Sequence, residues 1–482
     1  MSTVLVVGGG AREQVLAEAY EKSANVVCVS PGNAGISLMK KTIRLGLKEI
    51  DEIVDFVKKN PIDLIDIGPE GYLTKGIVDR FHEIGRYNVV GQKAEAGILE
   101  TDKCWAKDFW KRHNIPVPEF ANFNDPKKAK EYIRNFYREN PGENVVVKVA
   151  EICAGKGSIP CENEEQALRV VDRIMIDREF DNKEKGISAG NKIVVEKRLY
   201  GLEIMLFVAT DGKTISFLGT AKDSKKAFDY TLVDRKYIGK YFSGINPNTG
   251  GMICISPHPK EEEFKDEIMK NIAIPTLRKF QEETGHEYIG IGYFGIMLSE
   301  EDGDVVPRIL EFNRRHGDPE ASAILPRLKT DYLELASALV ERRLHEVPIE
   351  FDPHSTYVLV AVSGGWIPAA GEEDDREQYP GYPGNHHTNQ PIRGLRSVDS
   401  SVRVYHSGTE FRNDPNKGDE DNNLATTGGR VLELVAFGNS WKDAESKAQA
   451  EMRKIFFKGK RFRRTPAEPE AELRPESRPK LK

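Results

Sequence analysis

Residues 303–320, GDVVPRILEFNRRHGDPE, gather the side chains best suited to phosphate chemistry. Val305 to Phe312 reads as a mostly apolar strand running into polar residues. Side chains alternate across a strand, so Glu311 and Asn313 share one face and Phe312 takes the other. That face presents a carboxylate and an amide oxygen, hard ligands of the kind Mg²⁺ accepts. In nucleotide enzymes the ion takes one or two protein groups, and phosphates and water complete its shell. Arg314 and Arg315 follow at once, with guanidinium forks that match phosphate oxygens. Asp318 and Glu320 lie beyond, where the strand opens into a loop. A solvated charge cluster at a strand end would account for an isolated Glu-x-Asn. Glu-x-Asn, Arg-Arg and Gly-Asp-Pro-Glu in a single run favour metal and phosphate.

Other stretches carry weaker signals. In NVVVKVAEICAGKGS, Lys148 interrupts an apolar strand. Buried lysine is rare unless paired, so a phosphate partner is attractive. A packed stem with a snorkelling head is the alternative. Ala154–Ser158 is a glycine loop carrying Lys156. It is not a P-loop, since Ala150 holds the first glycine position and Gly157 follows the lysine. Glu196 ends one apolar run and Glu203 interrupts the next across a turn, although either alone fits an edge-strand charge. Gly8-Gly9-Gly10 begins a dinucleotide fingerprint, but its third glycine is missing. Ser30-Pro31-Gly32-Asn33 stands where an acidic ribose ligand belongs, which argues against NAD. Backbone amides at such turns still suit a phosphate, and tight turns without a ligand suit the residues equally. His386-His387 is adjacent in a polar insertion and reads as loop rather than metal site.

The elements that must position these groups follow from periodicity. The first hundred residues alternate apolar strands with amphipathic helices, which predicts a parallel, doubly wound sheet with its glycine turns at strand C-termini. Helices are expected over 101–114, with Thr101 as N-cap, and over 125–139, 166–178, 261–284 and 332–346. Residues 72–85 read as one helix and 222–246 as polar and irregular. Asn248–Met252 reads as a glycine turn, 356–438 as short strands with long polar insertions, and SWKDAESKAQAEMRKIFF as a helix. From Lys458 the chain is basic, then rich in Pro and Glu, and is expected to be disordered.

A chain of 482 residues has room for roughly three or more domains. Its net charge of −6 gives no reason to expect a nucleic-acid partner. No apolar run approaches the ~18 residues of a membrane span, and a strand opening at residue 3 leaves no room for a signal peptide. Five cysteines without metal-site spacing fit a reducing cytoplasm.

Taken in order, VLVVGGGARE, SPGNAG, IGPEGYLTKGIVD, DKCWAKDF, VVVKVAEICAGKGS, VVEKRLYGLE, NPNTGGM, LEFNRRHGDPE, the YHSGT turns and TTGGRVL resemble the phosphoribosylamine–glycine ligases of the ATP-grasp superfamily. The resemblance covers nearly the whole chain up to the tail. It implies an α/β fold: a Rossmann-like parallel sheet over 1–100 and a split ATP-grasp unit over 101–330 with a lid about 116–195. A small α+β C-terminal domain follows over 331–457, then a disordered tail over 458–482. It implies ATP and Mg²⁺ (or Mn²⁺) as cofactors, with Glu311 and Asn313 as metal ligands. Lys103, Lys148, Gly155, Lys156, Gly157, Glu196, Glu203 and Arg315 become the nucleotide contacts. Asp318 and Glu320 fall near the substrates. Gly9, Gly10, Pro31, Gly32 and Asn33 belong to the phosphoribosylamine site. Catalysis falls to Lys148, Arg315 and Asp318.

The implied reaction joins glycine to 5-phosphoribosylamine in purine biosynthesis, in a cytoplasmic monomer or dimer without membrane partner. A carboxylate attacks the γ-phosphate, ADP leaves, and an amine displaces phosphate from the resulting acyl phosphate, with the glycine loop at 154–158 closing over the phosphates. The sequence departs from the family at several points. Gln14 stands for a histidine, Asp223-Ser224-Lys225-Lys226 for Asp-His-Lys-Arg, and Ile253 for a glycine. Arg314 and His316 replace a small and an aromatic residue. A ligase for another amino acid or amine, and a catalytically weak nucleotide-binding homologue, are the alternatives.

Overall fold

Continuous Val, Ile and Leu runs form strands covered on both faces, and the N-terminal segment builds a parallel sheet from them. The computed structural model describes residues 2–153, 157–181, 189–229, 231–242, 246–301, 303–366, 371, 374–413 and 423–464. Strands β1 (Thr3–Gly8), β2 (Val26–Pro31), β3 (Thr42–Arg44), β4 (Leu64–Ile67) and β5 (Val89–Val90) lie in the order β3-β2-β1-β4-β5. All pair in parallel. β3 is additional to the expected strands, because Thr-Ile-Arg is short, partly exposed and has no apolar run. Helices α1 (Ala11–Glu21), α2 (Ile50–Lys59), α3 (Glu70–Thr74) and α4 (Ile77–Glu83) connect the strands. The single helix expected over 72–85 divides at Gly76, whose φ of +77° leaves the α-helical region. Gly8–Gly10 follows β1 beside the point where the strand order reverses.

Helices α5 (Ile98–Thr101) and α6 (Lys103–Arg112) lead into the next unit. Asp102, not Thr101, caps α6: its side chain accepts from the Trp105 amide at 3.0 Å, while Thr101 closes the short helix before it. Strands β6 (Phe120–Phe123), β7 (Val145–Val149), β8 (Ser158–Pro160) and β9 (Ile193–Lys197) form an antiparallel sheet in the order β6-β9-β7-β8. Helices α7 (Pro126–Glu139) and α8 (Glu164–Met175) cover it, burying Ile133, Phe136 and Val170 against Val145, Val147 and Val195.

The largest sheet takes β10 (Gly201–Asp211), β11 (Ile215–Lys226), β12 (Asn248–Ser256), β13 (Ile289–Glu301), β14 (Asp304–Asn313), β15 (Ser355–Ser363) and β16 (Arg403–His406). A small hairpin of β17 (Thr409–Phe411) and β18 (Leu424–Thr426) precedes β19 (Arg430–Gly438) and β20 (Lys460–Arg461). The path runs β14-β13-β10-β11-β12-β15-β19-β16, with β20 on β15. The segments expected as ATP-grasp and C-terminal domains therefore share one sheet through the β12–β15 pairing.

Several expectations fail here. Lys222–Lys226 complete β11, helix α9 (Leu232–Tyr241) follows, and Asn248–Met252 open β12 instead of turning. Asp223, Lys225, Asn248 and Thr249 in these strand ends face a cavity, which gives them the polar composition of a loop. The helix over 261–284 is α10 (Glu261–Ile268) and α11 (Ile274–Thr284), joined by a π turn at Met269–Ala273. Pro275, which has no N–H to give, opens the second part. After α12 (Glu320–Ile324), α13 (Tyr332–Glu341) stops short of Glu346, because Arg342 takes a left-handed φ of +61°. Helix α14 (Trp441–Met452) packs on the C-terminal core.

The disorder expected from 458 onward does not hold for residues 458–464. β20 pairs with β15, Phe462 packs into the C-terminal core, and buried Arg463 places Nε 3.3 Å from Asp229 Oδ1. Residues 465–482 lie outside the described residues. Among the described residues, no helix is long and apolar enough to cross a membrane. Truncating Phe462 to alanine should cost about 3–5 kcal/mol of stability, the range for a buried phenylalanine. A thermal midpoint equal to that of the wild type would show that 460–464 does not dock.

Candidate active site

A cavity of about 420 Å³ opens between the four-stranded sheet and the large sheet, within the ordinary size range for small-molecule sites. Lys103, Lys148, Gly157, Glu196, Glu203, Glu311, Asn313, Arg315, Asp318 and Glu320 all line it. Gly9, Gly10, Pro31, Gly32 and Asn33 do not. Gly10 comes near, since a Cβ built there would lie 3.3 Å from Asp318 Oδ2. The Asn33 amide is already engaged, donating to the carbonyls of Gly9, Gly10 and His406 at 3.2, 3.1 and 2.6 Å. Gly155 and Lys156 lie outside the described residues.

A bulge in β14 sets the side that carries Glu311 and Asn313. Glu311 pairs with Gly295 and Ile309 with Ile296, so Leu310 is an extra residue. Ile309 and Phe312 are both buried in one core although three positions apart, which an uninterrupted strand forbids. The bulge turns the Leu310 carbonyl toward Lys148, whose Nζ donates to it at 3.4 Å. Lys225 Nζ stands 3.4 Å from Glu203 Oε1 and 3.5 Å from Glu311 Oε1. Burial would raise the Glu311 carboxyl, but Lys225, Lys148 and Lys103 hold it at about 2. Among the described residues no cluster of three or more His, Cys, Asp or Glu could cage a metal. A permanently charged carboxylate beside one amide oxygen instead fits a hard cation that draws its remaining ligands from phosphate and water.

Under this face lies a buried ionic triad. Glu196 is on β9, an inner strand, which removes the edge-strand alternative. Its carboxylate sits 2.6 Å from Lys107 Nζ and 2.5 Å from Lys148 Nζ. Lys148 is therefore buried and paired within the protein, which removes the snorkelling alternative. Burial opposes ionisation of Glu196, yet the two ammonium groups hold its carboxyl below the usual range. Burial pulls the Lys107 ammonium down to about 8 against the pull of Glu196. Two ammonium groups on one carboxylate leave one net positive charge facing the cavity, which suits an anion. Lys107 was missed. Its signal is the i,i+4 spacing from Lys103, which puts both on one face of α6.

The Arg-Arg pair divides its work. Arg314 is corrected from phosphate contact to structural bolt: it is 1% exposed, and donates to Glu100 Oε2 at 3.2 Å, the Lys93 carbonyl at 3.0 Å and Thr74 Oγ1 at 3.2 Å. Arg315 stays on the cavity wall. It donates to Glu70 Oε2 at 2.9 Å, and its charge, against burial, brings that carboxyl to about 2. Asp318 pairs with Arg430 at 2.9 Å, and Arg430 also donates to the carbonyls of Gly250 at 3.1 Å and Asp318 at 2.7 Å. Arg430, in the TTGGRVL run, brings β19 to the cavity and was also missed. Gln14 Oε1 accepts from the His406 amide at 2.7 Å, and buried His316 lies 2.7 Å from the Tyr332 hydroxyl. His387 sits between Trp366 and Tyr379 with Asp375 2.8 Å away.

Comparison with known proteins agrees with this architecture. Residues 2–100, 101–321 and 379–465 match the N domain, the ATP-grasp (A) domain and the C domain of phosphoribosylglycinamide synthetase. The chain is 42% identical to a phosphoribosylamine–glycine ligase of Archaeoglobus fulgidus, over 96% of this chain and 98% of the relative. It is 33% identical to one from Caldanaerobacter subterraneus subsp. tengcongensis, over 96% and 98%. In fold it is similar to a phosphoribosylamine–glycine ligase from Thermotoga maritima, with TM-score 0.73 and 24% identity over 96% of this chain and 99% of that one. A biotin carboxylase from Campylobacter jejuni shares the fold at TM-score 0.65, with 14% identity over 95% and 92%.

The triad yields a test. Glu196→Gln leaves two buried ammonium groups without their carboxylate, and should cost about 3–5 kcal/mol, seen as a lower thermal midpoint. Adding Lys107→Met should restore part of the loss, because the two sites share one interaction. A midpoint unmoved by Glu196→Gln would refute the triad.

Proposed function

The chain belongs to the phosphoribosylglycinamide synthetase family, and from that premise we propose how its residues divide the work. The protein is an ATP-dependent ligase joining glycine to 5-phosphoribosylamine, giving glycinamide ribonucleotide, ADP and phosphate in purine biosynthesis. The convergence of Glu311, Asn313, Lys148 and Arg315 on one cavity carries the residue-level reading.

Glu311 and Asn313 are the metal ligands. The family's chemistry requires ATP and a divalent cation, and we take the ion to be Mg²⁺, with Mn²⁺ as substitute. When bound, it neutralises charge on the transferring phosphoryl group. Lys148, held by Glu196, and Arg315, held by Glu70, neutralise the same phosphates from fixed positions, so little reorganisation accompanies transfer. Lys103, Gly155, Lys156 and Gly157 complete the nucleotide contacts, with Glu203 at the ribose. The glycine carboxylate attacks the γ-phosphorus and ADP leaves. The phosphoribosylamine nitrogen then attacks the acyl carbon, and phosphate leaves as that nitrogen gives up its proton. Asp318 and Glu320 border the acceptor. The turns at Gly9–Gly10 and Pro31–Asn33 offer backbone amides to the sugar phosphate. Five free cysteines support a cytoplasmic setting, and we expect a monomer or dimer that binds no nucleic acid.

ADP release measured across a panel of amino acids, with and without phosphoribosylamine, tests the reading. Release should require glycine and the amine together, and a different preferred pair would overturn the substrate assignment. Glu311→Gln should lower turnover at least about 100-fold with an unchanged circular dichroism spectrum, because a neutral amide is a poor replacement for a charged ligand. Near-normal ADP production at saturating Mg²⁺ would remove Glu311 from the metal site.

A further inference from the structure

Asp223 lies on β11 at the cavity wall and is 6% exposed. Neither of its carboxylate oxygens has a hydrogen-bond partner. Asp318 pairs with Arg430, Glu433 accepts from Ser322 Oγ at 2.6 Å, and Glu203 and Glu311 face Lys225. A carboxyl group taken from water and given no hydrogen bond is costly, and native proteins keep such groups where a ligand completes them. Burial, then the neighbouring Glu320, push this carboxyl well above its usual range. A cation arriving beside it would reverse that balance.

The surrounding backbone keeps the carboxylate bare. Gly251 has φ +125°, and a Cβ there would lie 2.8 Å from Asp223 Oδ1 and 2.4 Å from Pro319 Cδ. The second glycine of the Asn-Thr-Gly-Gly run is thus required where β12 passes Asp223.

The reaction brings two cations that do not themselves react: the metal ion, assigned above to Glu311 and Asn313, and the ammonium group of the amino acid. An amino acid enters as a zwitterion whose carboxylate must reach the γ-phosphate, near Glu311 and Arg315, and its ammonium group needs an anion close by. The nitrogen of phosphoribosylamine must be unprotonated to attack, so it needs none. We propose that Asp223 receives the α-ammonium group of the amino-acid substrate and selects amino acids over other small carboxylates. This rests on the ligase reading above.

Glycine and glycolate share the reacting carboxylate and differ in ammonium against hydroxyl, so ADP release with each, at saturating ATP and phosphoribosylamine, isolates the contact. The wild type should prefer glycine by about 100-fold or more in kcat/KM, as sites built around a polar group discriminate strongly. Asp223→Asn should reduce that preference to within about tenfold, through a raised KM for glycine and an unchanged KM for ATP. An equal fall with both substrates would mean a general-base or structural role and would overturn the proposal. Should Asp223→Asn fail to fold, Asp223→Ser and wild-type competition replace it, and glycolate competing as well as glycine would also overturn it. Wild-type enzyme inactive with glycine would remove the ligase reading itself. Active wild type with an unchanged preference in the variant removes this inference alone.

Discussion

Buried charge must be compensated in place, and that constraint organises this molecule. Lys107, Lys148 and Glu196 come from α6, β7 and β9, all nearly without solvent contact. None of the three is tolerable alone in that position, since an isolated buried ion costs several kcal/mol. Together they fix the first helix of the ATP-grasp segment against the small sheet. They also carry a net positive charge to the point where the β14 bulge exposes the Leu310 carbonyl. The positively charged cavity wall is therefore a by-product of how the interior balances its charges. Its rigidity is the electrostatic preorganisation that phosphoryl transfer needs.

The same logic joins the segments. Arg314 anchors the N-terminal unit to the end of β14 through Glu100, the Lys93 carbonyl and the Thr74 hydroxyl, and Arg315 next to it reaches Glu70. Arg430 fastens β19 to the loop carrying Asp318. Each joint uses an arginine whose planar fork satisfies several acceptors at once, which lysine would not do. The cavity lies where these joints meet, so shifts between segments are felt first by its charged wall.

The alternating α/β order was legible in the sequence because continuous apolar runs and amphipathic helices have different periods. That Glu311 and Asn313 share one cavity wall was legible because they sit at strand spacing. What escaped has physical causes. The bulge at Leu310 breaks the period of two without leaving a glycine or proline as a marker. Asp223, Lys225 and Asn248 read as loop because strand residues facing a polar cavity share the composition of loops. Lys107 sits among aromatics on an amphipathic helix, and its partner lies 89 residues away in another sheet. The basic run after Lys458 hid Phe462 and Arg463, two buried side chains at the end of a charged stretch.

The departures from the family pattern belong mostly to joints between segments and not to the reacting centre. Gln14 meets the His406 amide, and Asn33 meets the His406 carbonyl, so both tie the N-terminal glycine turns to the C-terminal strand β16. Burial drives the His316 imidazole down to about 3, which leaves it neutral beside the Tyr332 hydroxyl as part of the packing between the site loop and α13. Arg314 replaces a small residue by a side chain whose head lies where Gly97 approaches: a Cβ on that glycine would fall 2.0 Å from Arg314 Nη1. The larger side chain and the glycine that admits it form one device. Altered residues that hold partners in another segment change how the segments are joined, while Glu311, Asn313, Lys148 and Arg315 line the cavity. The acceptor side can therefore be rebuilt around the same phosphoryl-transfer chemistry.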